Sequence, residues 1–457
     1  MSHQVRRRNR GGQIILMLAL FMSLLMSLAA MAVDLVYAYT VKAKLVTAID
    51  ACALAAARAL ISGSTAAEQQ ADVNAVVDKL FNANFPEGIL LTITRSHTTP
   101  VITDNGDGTR SVSLRGDAIV PTFFMRLAGY DTLPVAAEAV AMRRDVNLMM
   151  VLDRSGSMHR APGSNPGPTA FADLKFASKE FVDNFDVVRD RLGLVSFGSG
   201  SHLDYVPKTN FKDPLNSMIN SLVADNSGTN SSDGLWKAYQ ALKVLNDTAG
   251  LNVIVFFTDG VSTHFSGTFQ VASGPCTDQD RAGVAGTFSS PGSDGTIGLT
   301  VIDPGAPPVP ADQSTYVHTA CGFSASSALS TRVSVIPVLD LNGTSVWGPK
   351  TIPYLLAGQP RMRGLNIKPL TENLTINTAA LARGDLNLNA RIYSIGLGGD
   401  PTSYQADHEL MRNVANDPEA VSYNNTQPTG LYVYAPDPAQ LHKAFQRVAS
   451  EITRLIQ

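Results

Sequence analysis

Apolar positions recur along this chain with different periods, and each period predicts a different kind of element. Residues 14–33 are apolar except for Ser23 and Ser27. About 20 such residues, rising 1.5 Å each, match the roughly 30 Å hydrocarbon core of a bilayer. Residues 35–60 contain neither proline nor glycine, and Leu35, Tyr39, Val46, Ile49, Ala53, Ala56 and Leu60 recur mostly at three- and four-residue steps. That spacing predicts one helix continuing outward from the apolar stretch. A second, short helix is predicted over residues 68–81. Residues 89–95, 109–120 and 133–143 alternate or are β-branched, as strands are. Between two of them lies Asp104-Asn105-Gly106-Asp107-Gly108-Thr109. An EF-type calcium loop counted from Asp104 needs glutamate at its twelfth position, where this chain has Arg115, so the segment is assigned as a hairpin turn.

The pattern changes after Asp145. Val146-Asn147-Leu148-Met149-Met150-Val151-Leu152 is an almost unbroken apolar run, the mark of a strand buried on both faces, and residues 253–257 are another. Further strands are predicted at 192–197 and 391–397. Between them fall helices marked by Phe171, Leu174, Ser178, Phe181 and Phe185, by Leu235, Trp236, Tyr239 and Leu242, and by Leu441, Phe445, Val448, Ile452 and Leu455. Strands alternating with helices predict an α/β fold, a Rossmann-like, doubly wound, mostly parallel sheet covered on both faces. The expected order is a transmembrane helix with its helical extension (residues 1–60), a small α+β spacer (61–144) and the α/β domain (145–457). Residues 261–369, rich in Gly, Ser, Thr and Pro with short β-type runs such as 332–339, interrupt that domain as an insertion. They leave from the strand end that carries Asp259 and form a loose decoration, a cap over that end of the sheet, or a surface that selects a partner.

Charge then orients the chain. Arg6, Arg7, Arg8 and Arg10 precede the apolar stretch, which keeps the N-terminus cytoplasmic and exports the rest. A cleavable signal peptide is the rival, since Ala30-Met31-Ala32 is a small-x-small sequence. A net charge of −3, from 36 basic and 39 acidic residues, gives no electrostatic reason to bind nucleic acid. Three cysteines exclude a disulfide-dense scaffold. Cys276 and Cys321 both lie in the insertion, where a disulfide is expected in an oxidising compartment, and Cys52 is left single on the alanine-rich helix.

The candidate chemistry sits at the ends of the two buried strands. Asp153-Arg154-Ser155-Gly156-Ser157 offers a carboxylate and two hydroxyls at alternate positions of one loop. Hard oxygen donors of this kind suit Mg²⁺, and one loop cannot fill its coordination sphere. Gly228-Thr229-Asn230 before a helix and Thr258-Asp259-Gly260 after a strand supply further oxygens. Ligands of doubly wound sheets bind at the carboxyl ends of the strands, where Asp153 and Asp259 lie. Ser155 is in an Arg-Ser-Gly context rather than a G-x-S-x-G elbow, with no base or oxyanion loop, so no enzyme is expected. Arg115-Gly116-Asp117 and Arg383-Gly384-Asp385 spell R-G-D, a three-residue match that chance supplies.

The set Asp153, Ser155, Ser157, Thr229 and Asp259 resembles the metal-ion-dependent adhesion site of von Willebrand factor A domains, with every ligand in order and in its local context. The resemblance covers residues 145–457 apart from the insertion. It implies Mg²⁺ or Mn²⁺ as cofactor and a protein partner whose Asp or Glu completes the sphere. Near the N-terminus, the basic residues, the single span and Ala48-Ile49-Asp50-Ala51-Cys52-Ala53-Leu54-Ala55-Ala56-Ala57-Arg58-Ala59-Leu60 resemble TadG-like proteins of Tad (Flp) pilus assembly. Pro121-Thr122-Phe123-Phe124-Met125-Arg126-Leu127 resembles the spacer module of the same proteins. Gly11-Gly12 is followed five residues on by Met17, where pilin-type substrates of a processing peptidase carry glutamate. This second resemblance implies a single-pass protein of the bacterial inner membrane, its bulk periplasmic or extracellular, with pilus or envelope assembly components as partners. The expected role is cation-dependent binding of an acidic partner group in pilus assembly or surface adhesion. The alternative is a structural, pilus-like or envelope scaffold carrying a passenger A domain.

Overall fold

The computed structural model describes residues 11–60, 65–106, 108–159, 170–224, 228–274, 276–287, 296–301, 332–398 and 407–456. The chain divides into two compact units, Met1–Arg143 and Arg144–Ile456.

In the first unit α1 (Gly11–Ala59) is one continuous helix of 49 residues. Its two halves meet different surroundings. Within residues 14–33 the apolar side chains are exposed, in a helix long and apolar enough to cross a membrane by length and composition. Beyond Ala38 the helix buries Val41, Leu45, Ile49, Cys52 and Ala56. They pack with Val73, Val77 and Phe81 of α2 (Ala66–Asn84), whose first turn is closed by the Thr65 hydroxyl accepting the Glu68 N–H at 3.2 Å. The rest of this core comes from a four-stranded sheet of β1 (Thr94–His97), β2 (Val101–Asp104), β3 (Thr109–Pro121) and β4 (Thr132–Arg144). Central β3 pairs antiparallel with β1 and β2 and also pairs with β4. Its even-numbered Val112, Leu114, Ala118 and Val120 point into the core. Gly116 stands in the same row, and a Cβ there would come within 2.6 Å of Ile49 Cδ1, so the missing side chain lets α1 close on the sheet.

Of two local expectations, one is adjusted and the other holds. Residues 89–95 do not form one strand: Gly88, at φ 71°, starts a turn closed by Leu91 N–H to Gly88 C=O at 3.1 Å, and β1 begins only at Thr94. The turn at residues 104–109 is a hairpin between β2 and β3, with Asp104 opposite Arg110 and positive φ at Gly106 and Gly108; Asp107 lies outside the described residues.

The second unit begins with β5 (Val146–Asp153) and continues through α3 (Ala170–Val182), β6 (Arg191–Phe197), β7 (Ser201–Lys208), α4 (Lys212–Ser221), α5 (Ser231–Leu245) and β8 (Leu251–Thr258). The insertion contributes β9 (His264–Gln270), β10 (Asp280–Thr287), β11 (Thr296–Val301) and a short hairpin, β12 (Leu355–Leu356) with β13 (Gln359–Pro360). There follow α6 (Gly364–Gly384), β14 (Arg391–Leu397), α7 (His408–Ala415), β15 (Tyr432–Ala435) and α8 (Leu441–Leu455). The principal sheet has the order β15-β14-β8-β5-β6-β7, parallel throughout except for β7 on β6. All residues of β5 and β8 are buried. One face of the sheet is covered by α3, α4 and α8 through Phe181, Leu215 and Phe445, the other by α5, α6 and α7 through Leu242, Ile376 and Met411. This is the doubly wound, mostly parallel fold that the strand and helix periods predict. Chain order runs outward from β5 to β6 and β7 on one side and to β8, β14 and β15 on the other, so its switch point is the β5–β8 seam.

The described part of the insertion is built around apolar contacts of its own. Strands β9, β10 and β11 form an antiparallel sheet. Phe265, Phe269, Val333, Ile336 and Val346 share a core with Ile367, Leu370 and Leu374 of α6. Residues 332–339 make isolated bridges rather than a strand. Helix α6 begins at Gly364, ahead of the expected end of the insertion, and takes Pro369 into its second turn. Cys276 is disulfide-bonded, and Cys321 lies outside the described residues.

Glu372 of α6 is 3% exposed, with Lys350 and Lys368 Nζ each 3.8 Å from its carboxylate. Burial, then the nearby Asp407 carboxylate, raise its pKa from 4.5 to about 7, the two lysines opposing them. The folded chain therefore holds this proton more tightly than the unfolded chain, and the associated stability is present below the unfolded value and lost as pH rises toward 7. Urea unfolding of wild type and Glu372→Gln, followed by the fluorescence of Trp236 and Trp347, should show the variant gaining on wild type between pH 5 and 8. The gain is on the order of 2–3 kcal/mol, and a constant difference across that range would contradict the assignment.

Candidate metal centre

Strand β5 carries Asp153 out of the sheet at its carboxyl end, and β8 does the same for Thr258 and Asp259. Asp153 is buried, and its Oδ1 accepts the Ser155 N–H at 2.8 Å. That side-chain-to-backbone turn folds the following loop back over the strand end. Ser155 and Ser157 then approach one another, Oγ to Oγ at 3.1 Å, and Ser157 Oγ donates to Asp259 Oδ1 at 2.7 Å. On the other side Thr258 Oγ1 donates to Asp153 Oδ2 at 2.5 Å. Four of the five residues expected from sequence, Asp153, Ser155, Ser157 and Asp259, thus belong to one hydrogen-bonded network at the switch point, Asp153 joining through the Ser155 N–H and the others through their side-chain oxygens.

Thr229 joins differently. Its carbonyl accepts from Thr263 N–H at 2.8 Å, His264 N–H at 3.0 Å and Ser262 Oγ at 3.2 Å, and its N–H donates to Thr263 Oγ1 at 3.1 Å. Among the described contacts no hydrogen bond links its hydroxyl to the other four residues. Residues 262–264, just beyond Asp259, hold its backbone in place instead, through two N–H groups and two hydroxyls. The neighbouring Asn230 caps α5, its Oδ1 accepting the Asp233 N–H at 3.4 Å, and its own N–H donates to Gly198 C=O at 2.7 Å past the end of β6.

Sequence patterns assigned no role to three participants. Thr258 orients Asp153. Thr263 Oγ1 meets His264 Nδ1 at 2.9 Å. His264 is buried, and desolvation pulls its pKa down to about 4, so the imidazole is neutral at physiological pH. Its ring lies so close to two glycines that a Cβ on Gly228 would stand 1.8 Å from Nδ1 and one on Gly286 2.4 Å from Nε2. The Gly of Gly228-Thr229-Asn230 is thereby explained by a ring 36 positions later, a distance no local pattern reveals.

The donor set fits a hard divalent cation. The sequence expectation comprises two carboxylates and three hydroxyls, with no sulfur or nitrogen, donors that suit Mg²⁺ or Mn²⁺, and the structure links all of them except the Thr229 hydroxyl. The spacings of 2.7 and 3.1 Å along Ser155–Ser157–Asp259 bracket the edge of about 2.9 Å that an octahedron with Mg–O bonds of 2.0–2.1 Å has. Among the described residues no three His, Cys, Asp or Glu side chains converge, so a cation here depends on the hydroxyls. Neither R-G-D triplet offers a free loop. Arg115 lies in β3 and pairs with Asp117 at 2.9 Å and Glu138 at 2.9 Å. Arg383 is buried at the end of α6, where Asp385 accepts from the Tyr239 hydroxyl at 2.9 Å.

Residues 148–261 match the von Willebrand factor type A domain family, and residues 12–59 match the Flp pilus-assembly TadE/G-like family. The chain therefore carries a TadE/G-like N-terminal region followed by a von Willebrand factor type A domain, and the match to the latter ends where the insertion begins. No curated protein matches the chain. Among solved structures it is similar to the PilB minor pilin from Streptococcus sanguinis, at 13% identity over 80% of this chain and 79% of that one, with a TM-score of 0.41. It is also similar to the vWF domain of the type V pili tip protein Mfa5 from Porphyromonas gingivalis (19%, 69% of this chain and 98% of that one, TM-score 0.39). A third is the pilus adhesin SpaC from Lactobacillus rhamnosus GG (13%, 80% and 36%, TM-score 0.38).

Replacing Thr258 by Val removes the hydroxyl that donates to Asp153 while keeping the shape. The buried carboxylate loses a partner, at a cost of about 1–3 kcal/mol in urea unfolding, and Thr258→Ser restores most of it. Equal stability of Thr258→Val and wild type would rule out the orienting role.

Proposed function

We propose that this is a single-span envelope protein whose A domain holds Mg²⁺ or Mn²⁺ on Asp153, Ser155, Ser157, Thr229 and Asp259. Through that ion it binds an Asp or Glu of a protein partner, in Tad-type pilus assembly or surface adhesion, without catalysing a reaction. The observation that carries this reading is the pair of hydrogen-bonded oxygen chains at the switch point of the sheet, Thr258 to Asp153 and Ser155 through Ser157 to Asp259, joined by the Ser155 N–H that Asp153 accepts. The cation, when bound, supplies the positive charge that attracts the partner's carboxylate.

The chain's own residues do the rest. Two carboxylates leave a divalent site with room for one more anion from a partner, whereas a third carboxylate on this chain would oppose it. Thr258 fixes the rotamer of Asp153, and the Asp153–Ser155 turn sets the loop before any ligand arrives, so little ordering remains to be done on binding. The neutral His264 buttresses Thr229 without adding a positive charge that would compete with the cation. The TadE/G-like region and the apolar stretch of α1 support a membrane-anchored location, and Arg6, Arg7, Arg8 and Arg10 favour a cytoplasmic N-terminus in the bacterial inner membrane, with the A domain periplasmic or extracellular.

Titration calorimetry of the full chain in nanodiscs should register one Mg²⁺ or Mn²⁺ per chain, with affinity falling more than about tenfold in Asp153→Asn and Asp259→Asn. Removal of metal by EDTA should abolish capture of the partner. Absence of cation uptake by the folded chain would overturn the proposal, and partner capture or assembly that survives EDTA would favour the scaffold role with the A domain as passenger.

A further inference from the structure

The unit containing α1 carries a second surface, remote in sequence from the cation site. Asp34 is the first residue beyond the apolar stretch 14–33, and it is buried. Its carboxylate accepts three consecutive backbone N–H groups, from Phe123 at 2.8 Å, Phe124 at 2.9 Å and Met125 at 2.6 Å, and so caps the short helical turn Met125–Ala128. One turn along α1 the Tyr37 ring meets the edge of Phe123 with centroids 5.1 Å apart, and the Tyr37 hydroxyl donates to Leu90 C=O. Two loops are thereby fastened to α1 where its apolar stretch ends. Both present apolar side chains outward: Phe124 is 45%, Leu127 86%, Tyr130 61% and Leu91 63% exposed. Single exposed apolar residues are ordinary on a water-facing surface, but two adjoining loops of them call for a neighbour.

We infer that these loops, residues 89–91 and 122–130, sit in the interfacial layer of the bilayer that α1 crosses and form an apolar and aromatic collar around the anchor. The inference rests on residues 14–33 spanning that bilayer. With about 30 Å of helix filling the hydrocarbon core, the polar layer adds about 5–7 Å on each side. Tyr37 lies four residues past Val33, about 6 Å along the helix axis, so both loops fall within that layer. Aromatic rings and leucines favour this boundary, and the exposed Arg126 on the same turn suits lipid phosphates. Asp34 and the loop depend on each other: without the three amides a carboxylate would stand bare at the edge of the hydrocarbon. The collar would fix the tilt and rotation of the anchor, which span length alone leaves free.

The test uses the full chain in phosphatidylcholine nanodiscs, with an environment-sensitive fluorophore on Leu127→Cys, Leu25→Cys or Asn105→Cys and the wild-type chain labelled in parallel as background. Lipids carry a nitroxide at carbon 5 or carbon 12 of the acyl chain. Asn105 serves as the distal control. Gly116 of β3 packs on Leu45 and Ile49 while Phe123 meets Asp34, so β3 runs back toward the span, and its Thr109 end stands about 40 Å away at 3.3 Å per residue. Expected is quenching at Leu127 at least about twofold stronger by the shallow nitroxide than by the deep one, with the reverse order at Leu25 and no quenching at Asn105. A label at Leu127 that stays solvent-exposed and unquenched while Leu25 is quenched would overturn the collar. So would one that is shielded from water yet unquenched, since a protein neighbour would then cover the patch. No quenching at Leu25 would overturn the span itself.

Discussion

The parallel pairing of β5 with β8 is the constraint on which the candidate site depends. Leu152 stands beside Phe257, and both strands are buried along their whole length. One step further in the same register, Asp153 comes beside Thr258, with Asp259 immediately after. A slip of one residue would exchange the side chains of β8 between the two apolar layers, where Val253, Val255 and Phe257 pack in one and Ile254 and Phe256 in the other, and close packing penalises the exchange. The distance between the two carboxylates is therefore set by the core, and the loop that carries Ser155 and Ser157 only has to fold back onto a fixed frame. The frame of the candidate site is thus laid down by the packing of the core.

The insertion enters the same frame from its first residues. Ser262, Thr263 and His264 bond to the backbone of Thr229, and Ser262 C=O in turn accepts the Thr371 hydroxyl of α6 at 2.8 Å. The insertion shares a core with α6, and α6 packs on the main sheet. Thr229 is thus positioned by residues that leave the sheet as well as by those that form it. The clamp of Gly228 and Gly286 on the His264 ring closes this arrangement without a charge.

Legibility in the sequence followed physical range. Asp153, Ser155 and Ser157 could be found because alternate residues of one short loop must face one centre, and Asp259 because it ends a run of buried residues. The parallel sheet could be found because two such runs alternate with helical periods. Thr258 was visible as a letter but not as a partner of Asp153, since that contact exists only once residues 105 positions apart are paired in register. His264 gave no signal at all: its role depends on two glycines on different segments leaving room for its ring. The misread segment at 89–95 failed for the opposite reason. Its β-branched composition was local and correct, but Gly88 imposed a turn that composition does not weigh. The core of the insertion was missed because Phe265, Phe269, Val333 and Val346 come from separated stretches with no common period.

Helix α1 shows how one element can answer to two solvents. Over residues 14–33 it is apolar on all sides, and beyond Ala38 only the face toward α2 and β3 is buried. Asp34 marks the change, the first acid of the helix, compensated at once by three amides. Cleavage after Ala32 would leave that cap in place but would put a new charged amino terminus beside Leu91, Phe124 and Leu127 and turn those side chains toward water. Retention of the stretch gives the same residues a lipid neighbour and gives the carboxylate a reason to be satisfied by backbone groups rather than by solvent. The proposed collar therefore requires an anchor that is kept rather than a signal that is removed.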